Sequence, residues 1–291
     1  MNKNHRTPNL SAVSWTTAGD VGPLDDVQAS SFDIHDRVAA TAQAGYIGMG
    51  LVYDDLILAR DTIGLPELAA LMDAHSIVHL ELEMLNDWFE SGRRRQDSDK
   101  MRWLLLEMAH ELDAAYIKVA GQRQTGTEHK VEWGRFCDEF ATLCEDAASL
   151  QVGIAVELMA HTNVADVEKG KQMIDHSDYL GAGLVLDLWH LSHGGAGPEK
   201  LETLDPRYVS GVELSDGLQH IQVSLQQDSV RNRYLCGEGE LNVEGYIKAI
   251  QASGWNGIWG VEVMSEQHRR LGLEAQVTRS FQAASSMLLS V

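Results

Sequence analysis

The sequence predicts an α/β chain folded as one (β/α)8 TIM barrel, on three observations. Strand-like and helix-like segments alternate from end to end, strand starts recur roughly every 27 to 48 residues, and 291 residues accommodate eight such units. The rival architecture, an open doubly wound sheet, normally carries a glycine-rich turn after an early strand, and none is present. The five prolines are scattered and no Ser/Gly-rich stretch marks a linker, so residues 1–291 are expected to form a single domain.

The first strand is LSAVSW (10–15), followed by DRVAATAQAG (36–45), whose apolar residues recur at helical spacing until Gly45 ends the segment. Strand two is YIGMGLV (46–52), and LPELAALMDAH (65–75) is the helix behind it. Strand three, IVHLELEM (77–84), leads to the helical KMRWLLLEMAHELD (100–113). Strand four, AAYIKVAG (114–121), precedes GRFCDEFATLCEDAASL (134–150), again with apolar residues three and four apart. Strands five to eight are VGIAVELM (152–159), AGLVLDLW (182–189), VSGVEL (209–214) and GIWGVEV (257–263), the last entered through Gly254.

Those four later strands each carry one acidic residue among Val, Leu and Ile: Glu157, Asp187, Glu213 and Glu262. Uncompensated buried charge is expensive, so four such residues need a shared reason. All four fall late in their strands, at the end where barrels place active-site groups. Carboxylates converging there raise one another's pKa unless a cation joins them, which makes a divalent metal the expected partner. The competing reading for Glu157 and Glu262 is a buried salt bridge to Arg or Lys; for Glu213 it is a residue that orients a water, with Asp216 capping the next turn.

His190 follows Asp187 by three residues and is expected to contact substrate or metal, with a hydrogen-bonded structural histidine as the alternative. Lys118 interrupts an otherwise apolar strand and is expected to point into the mouth, as a catalytic group or as a charge partner for a carboxylate. Glu83 is a candidate substrate contact, with Glu81 expected on the opposite face. Arg231 and Arg233 lie after strand seven, where barrels often bind anions, so both are candidate substrate contacts against a surface-loop alternative. The run Arg93, Arg94, Arg95 is expected to be solvated. Trp15, Tyr53, Trp88 and Trp189 sit near strand ends and could line a sugar-sized pocket or simply pack.

A formal charge of −20, from 43 acidic and 23 basic side chains, disfavours nucleic acid and anionic membranes as partners. The start MNKNHRTPNL has no apolar core of the signal-peptide kind, and no run approaches the roughly 20 apolar residues of a membrane span. Cys137, Cys144 and Cys236 lack metal-site spacing. A soluble, reduced, cytoplasmic protein acting on a small molecule is expected, with a homo-oligomer left open.

Glu157, DLWH at 187–190, VELSDG at 212–217, GEGEL at 237–241 and WGVEVMSE at 259–266 together resemble the xylose isomerase-like barrels, the sugar phosphate isomerase/epimerase group. The resemblance spans essentially the whole chain. It implies a metal-dependent barrel acting on a sugar, polyol or keto-acid, in which a Glu, an Asp, a His and a Glu from strands five to eight hold one divalent ion. Glu157, Asp187 and Glu262 match residue for residue, and His190 matches a histidine that often follows the Asp. Two departures stand out: Glu213 where many members carry His, and Cys236 where proline is common. An all-oxygen set favours Mg2+ or Mn2+, with Co2+ and Zn2+ as alternatives. Endonuclease IV shares this fold, but its three-zinc site needs more histidines than this acidic chain supplies.

The implied chemistry is isomerisation or epimerisation through a metal-stabilised enediolate, with Glu157 and Glu262 as proton-transfer groups and His190 and Lys118 steadying oxygen charge. A lyase or dehydratase that eliminates a group next to a ketone is the alternative, for example on a keto-glycoside or a dehydroshikimate-like substrate. A non-catalytic sugar- or metal-binding barrel is the third reading.

Overall fold

The structure, a computed structural model, describes residues 7–124 and 130–291. Eight parallel strands close into a barrel in sequence order: β1 (Leu10–Ala12), β2 (Gly48–Val52), β3 (His79–Leu85), β4 (Tyr116–Val119), β5 (Ile154–Glu157), β6 (Ala182–Asp187), β7 (Val209–Leu214) and β8 (Trp259–Val261). Pairing of Ser11 with Gly260 closes the ring. Seven of the strands are shorter than the apolar runs that announce them, and β7 coincides with its run.

Helices cover the outside of the ring. Asp33 caps Ile34–Ala44 by accepting from the His35 N–H, and Gly45, at φ 111°, takes the left-handed turn that returns the chain to β2. The helix Gly92–Glu111 begins eight residues before the apolar periodicity does, as the bounds 92 and 100 show. Its polar opening is held by ion pairs: Arg95 meets Asp99 on its own helix at 2.6 Å and Glu139 on the next. Arg95 is therefore largely shielded, while Arg93 and Arg94 are exposed as expected. Trp88 is core, packed on Phe89, Phe136 and Phe140.

Alternate strand residues point outward into this apolar shell, and the others point into the ring. The inward set is polar and layered. In one layer Glu81 accepts from Ser11 Oγ at 2.9 Å and from Tyr116 Oη. Glu83 lies two residues further along the same strand, and both carboxylates are buried. The expectation that Glu81 faces the opposite way is corrected here: a strand repeats every two residues, so 81 and 83 share a face at successive heights. Glycine makes room for the second layer, since a Cβ on Gly50 would stand 2.6 Å from the Ser14 nitrogen and 3.0 Å from Glu83 Oε1.

The segment after β1 folds over the mouth. A fully buried pair, Arg37 with Asp55 at 2.6 Å, anchors it, and the N–H groups of Ser30 and Gln28 donate to Asp55 and Asp54. Arg269 holds Asp20 from the other side at 2.8 Å. Among the described residues no helix is long and apolar enough to cross a membrane.

Candidate metal centre and active site

Glu157 and Asp187 are the last residues of β5 and β6, Glu213 is next to last in β7, and Glu262 follows β8 directly. In-register pairing of Asp187 with Glu213 brings neighbouring strand ends level. The four carboxylates each place an oxygen within 4.8 Å of the others, and all four are buried. Glu157, Asp187 and His190 form a second, overlapping set of the same kind.

Two cations share this layer. Lys118 Nζ lies 2.6 Å from Glu213, 3.1 Å from Glu262, 3.2 Å from Glu83 and 3.7 Å from Glu157. Arg233 Nη1 lies 2.5 Å from Asp187 and 2.9 Å from Glu262, and its Nε donates to the Ser229 carbonyl at 2.6 Å. Five carboxylates thus share two fixed positive charges, leaving a local excess of negative charge for protons or a metal ion to meet.

Buried polar atoms normally find hydrogen bonds, and here some do not. Glu213 Oε2 and Glu157 Oε1 have no hydrogen-bond partner, the second standing 3.8 Å from the His190 ring. Oxygen atoms left bare beside like charges fit a hard divalent ion, and the donor set Glu157, Asp187, Glu213 and Glu262 suits Mg2+ or Mn2+.

The electrostatics point the same way. Burial pushes the Glu83 carboxyl up to about 7, with Lys118 opposing and Glu262 and Glu81 adding to the rise. Burial likewise lifts Glu157 and Glu213 well above the ordinary carboxylate range, against the pull of Lys118. Lys118 is itself raised, because its four carboxylates outweigh its burial. His190 is held well below its usual value by burial, then by Arg233 and His161, and is neutral at pH 7.

The local fold explains the DLWH signal. Asp187 caps the short helix Leu188–Gly194, its Oδ1 accepting the His190 N–H at 3.0 Å while Oδ2 meets Arg233. One carboxylate ends a strand, starts a helix and faces the charge cluster.

A cavity of about 310 Å³ opens above the cluster, and Glu83, Glu157, Glu262 and His190 reach it. Trp15 and Tyr53 line it, and Trp15 is also packed with Val52 and Met264. Asp187, Glu213 and Lys118 lie deeper and are not on its wall. Lys118 therefore meets its carboxylate neighbours below the cavity and does not line it.

Trp189 and the two arginines differ from their expected placement as substrate contacts. Trp189 is buried behind the site, stacked on His193 at 4.0 Å. Arg233 is sealed from solvent and spent on Asp187 and Glu262. Arg231 faces a separate polar cavity of about 170 Å³ and pairs with Glu266 at 3.8 Å. Asp216 accepts N–H groups from Gly217, Gly237 and Leu241, fixing the GEGEL turn.

Sequence reasoning missed His161 and Arg123, which also line the cavity. His161 stands four residues after Glu157, just past a strand carrying a carboxylate, and that position was the available signal. Burial lowers its pKa to about 4.

The sequence model of the xylose isomerase-like TIM barrel family matches residues 38–284. No curated protein matches the chain. Among solved structures, a xylose isomerase-like TIM barrel/4-hydroxyphenylpyruvate dioxygenase fusion protein is 17% identical with a TM-score of 0.80; the match covers 96% of this chain and 42% of the fusion. An IolI protein with a bound zinc atom is 16% identical with a TM-score of 0.81, covering 96% and 98% of the two chains. D-psicose 3-epimerase of Clostridium cellulolyticum H10, solved with D-tagatose, is 12% identical with a TM-score of 0.71, covering 96% and 99%. The probable 3-DHS dehydratase AsbF of Bacillus anthracis is 14% identical with a TM-score of 0.69, covering 92% and 97%. At these identities the neighbours share a fold, which hosts several chemistries.

Proposed function

The chain belongs to the xylose isomerase-like TIM barrel family, and from that premise we propose that it is a divalent-metal-dependent isomerase or epimerase of a sugar-, polyol- or keto-acid-like substrate. The observation that carries this reading is the convergence of Glu157, Asp187, Glu213 and Glu262, with bare oxygens on Glu157 and Glu213, beneath a cavity of substrate size. A divalent ion held by these four residues would polarise a substrate carbonyl and acidify the neighbouring C–H.

Glu157, although also a proposed ligand, is the base of choice, because its side chain reaches the cavity and its nearest cation, Lys118, stands back at 3.7 Å. Glu262 also reaches the cavity but is held by both cations, so it orients more than it abstracts. Glu83, whose carboxyl burial pushes up to about 7 in the metal-free protein, reaches the cavity and can return a proton to a neighbouring carbon. Neutral His190 can donate to an oxygen as negative charge builds on it.

A lyase shares the first proton abstraction, and Glu83 would then protonate a departing oxygen. Its fold neighbour, the probable dehydratase, keeps this second reading in view.

The test is turnover in D2O with added Mg2+ or Mn2+ on a panel of ketoses. Deuterium at the carbon next to the carbonyl is expected, in product and in recovered substrate. Turnover with no deuterium at any carbon overturns the proton-transfer reading; loss of water or of a substituent selects the lyase.

A further inference from the structure

We infer that the substrate is an uncharged, hydroxylated ring carrying a ketone and an apolar substituent, keto-glycoside-like and not phosphorylated; this rests on the functional reading above. The cavity has two zones. Its floor is the ionic cluster, where Glu83, Glu157 and Glu262 offer acceptors to hydroxyl groups. Above it, methionines from four separate parts of the chain line the wall: Met84 on β3, Met101 on the helix Gly92–Glu111, and Met159 and Met264 in the loops after β5 and β8. Met264 packs with Trp15 and Val52, with Val230 against them, so this side is one continuous apolar surface.

A free sugar or short polyol presents hydroxyls in every direction and gains nothing from a thioether collar. Methionine is unbranched and polarizable, and it suits irregular apolar groups and ring edges. A substituent extending from the ring towards the mouth would bury its apolar surface on this collar.

The residue types on the wall disfavour a phosphate. Among the described lining residues Asp26, Asp54, Glu83, Glu157 and Glu262 are acidic, and Arg123 is the single Lys or Arg. The arginines that could bind a dianion are elsewhere, Arg233 on Asp187 and Glu262 and Arg231 in the separate cavity.

The experiment is calorimetric titration of the Mg2+-loaded protein with methyl β-glucoside, phenyl β-glucoside, glucose and glucose 6-phosphate. Burying the phenyl ring should tighten binding over the methyl glycoside by about tenfold or more. The phosphate should bind more weakly than glucose. Met101→Gln and Met264→Gln should reduce the phenyl preference and leave the methyl glycoside unchanged. Binding of glucose with no phenyl gain, a phenyl gain that both variants retain, or a tighter complex with glucose 6-phosphate overturns the substrate class alone. No binding by any probe, in a protein that also melts identically with Mg2+ and with EDTA, overturns the metal-dependent reading as well. No binding by any probe in a protein that Mg2+ does stabilise overturns the glycoside inference alone.

Discussion

Lys118 on β4 and Glu213 on β7 meet across the barrel interior at 2.6 Å, both sealed from solvent. A lysine ammonium is strongly hydrated, so its burial is tolerated only because four carboxylates surround it. The same ammonium lets those carboxylates approach one another, and the pair is therefore a condition for the site.

Replacing the lysine tests that dependence. Lys118→Met is expected to destabilise the metal-free protein by about 3–5 kcal/mol, the usual result of breaking one side of a buried ion cluster. The melting temperature should fall by roughly 10 °C, and saturating Mg2+ should restore part of the loss by supplying positive charge. An unchanged melting temperature would remove Lys118 from the role of counter-charge.

Chelation should act on the four-carboxylate set directly. With free Mg2+ at a hundred times its dissociation constant, the folded state gains about 2.7 kcal/mol, and EDTA should reverse the gain. Asp187→Asn keeps an oxygen for the His190 N–H but loses the charge, so metal content and the EDTA effect should both fall. Unchanged metal content in that variant places Asp187 outside the ligand set.

Glu213 predicts a pH signature in the metal-free protein. Its carboxyl lies well above the ordinary 4.5 in the fold, chiefly through burial. Below pH 4.5 both states hold the proton; above it the unfolded chain releases it while the folded chain does not, so the fold loses stability as pH rises. Glu213→Gln removes that loss. The melting temperature of the variant relative to wild type should therefore climb as pH rises above 4.5. A relative fall over the same interval would show that Lys118 holds Glu213 as a carboxylate.

Glu157 and Glu262 should separate in kinetics. Glu157→Gln is expected to lower kcat by about 100- to 10,000-fold with little change in KM, as for loss of a general base. Glu262→Gln, which strips a partner from Lys118 and from Arg233, should lower metal content and melting temperature as well. Both residues are proposed ligands, so kcat is compared at saturating Mg2+ with metal content measured in the same samples, and the melting temperature distinguishes the two. Equal kcat in wild type and Glu157→Gln would move the base to another residue.

The alternation of elements and the acidic residue in each of the four later strands were readable because both follow from periodicity and from the cost of buried charge. Gly45 and Gly254, at φ 111° and 89°, mark the turns their positions implied. The arginines were not readable in the same way. Arg231 and Arg233 are two residues apart, yet one is half exposed and the other fully buried, because the chain crosses from a helix end to a loop paired with Ser265 between them. Trp189 and Trp15 look alike in sequence, and only the second reaches the cavity.

The sequence by itself determined the barrel, the strand ends that meet and the excess of carboxylates over cations in their runs, since these depend on local pattern and on composition. Tertiary structure alone decided which charges meet. Lys118 touches glutamates up to 144 positions away, and Arg233 reaches Asp187 from 46. Barrel closure sets those distances, and Coulomb energy depends on separation in space, not along the chain. The division of the cavity into an ionic floor and a methionine collar was decided in the same way, by strand ends and helices brought together from across the chain.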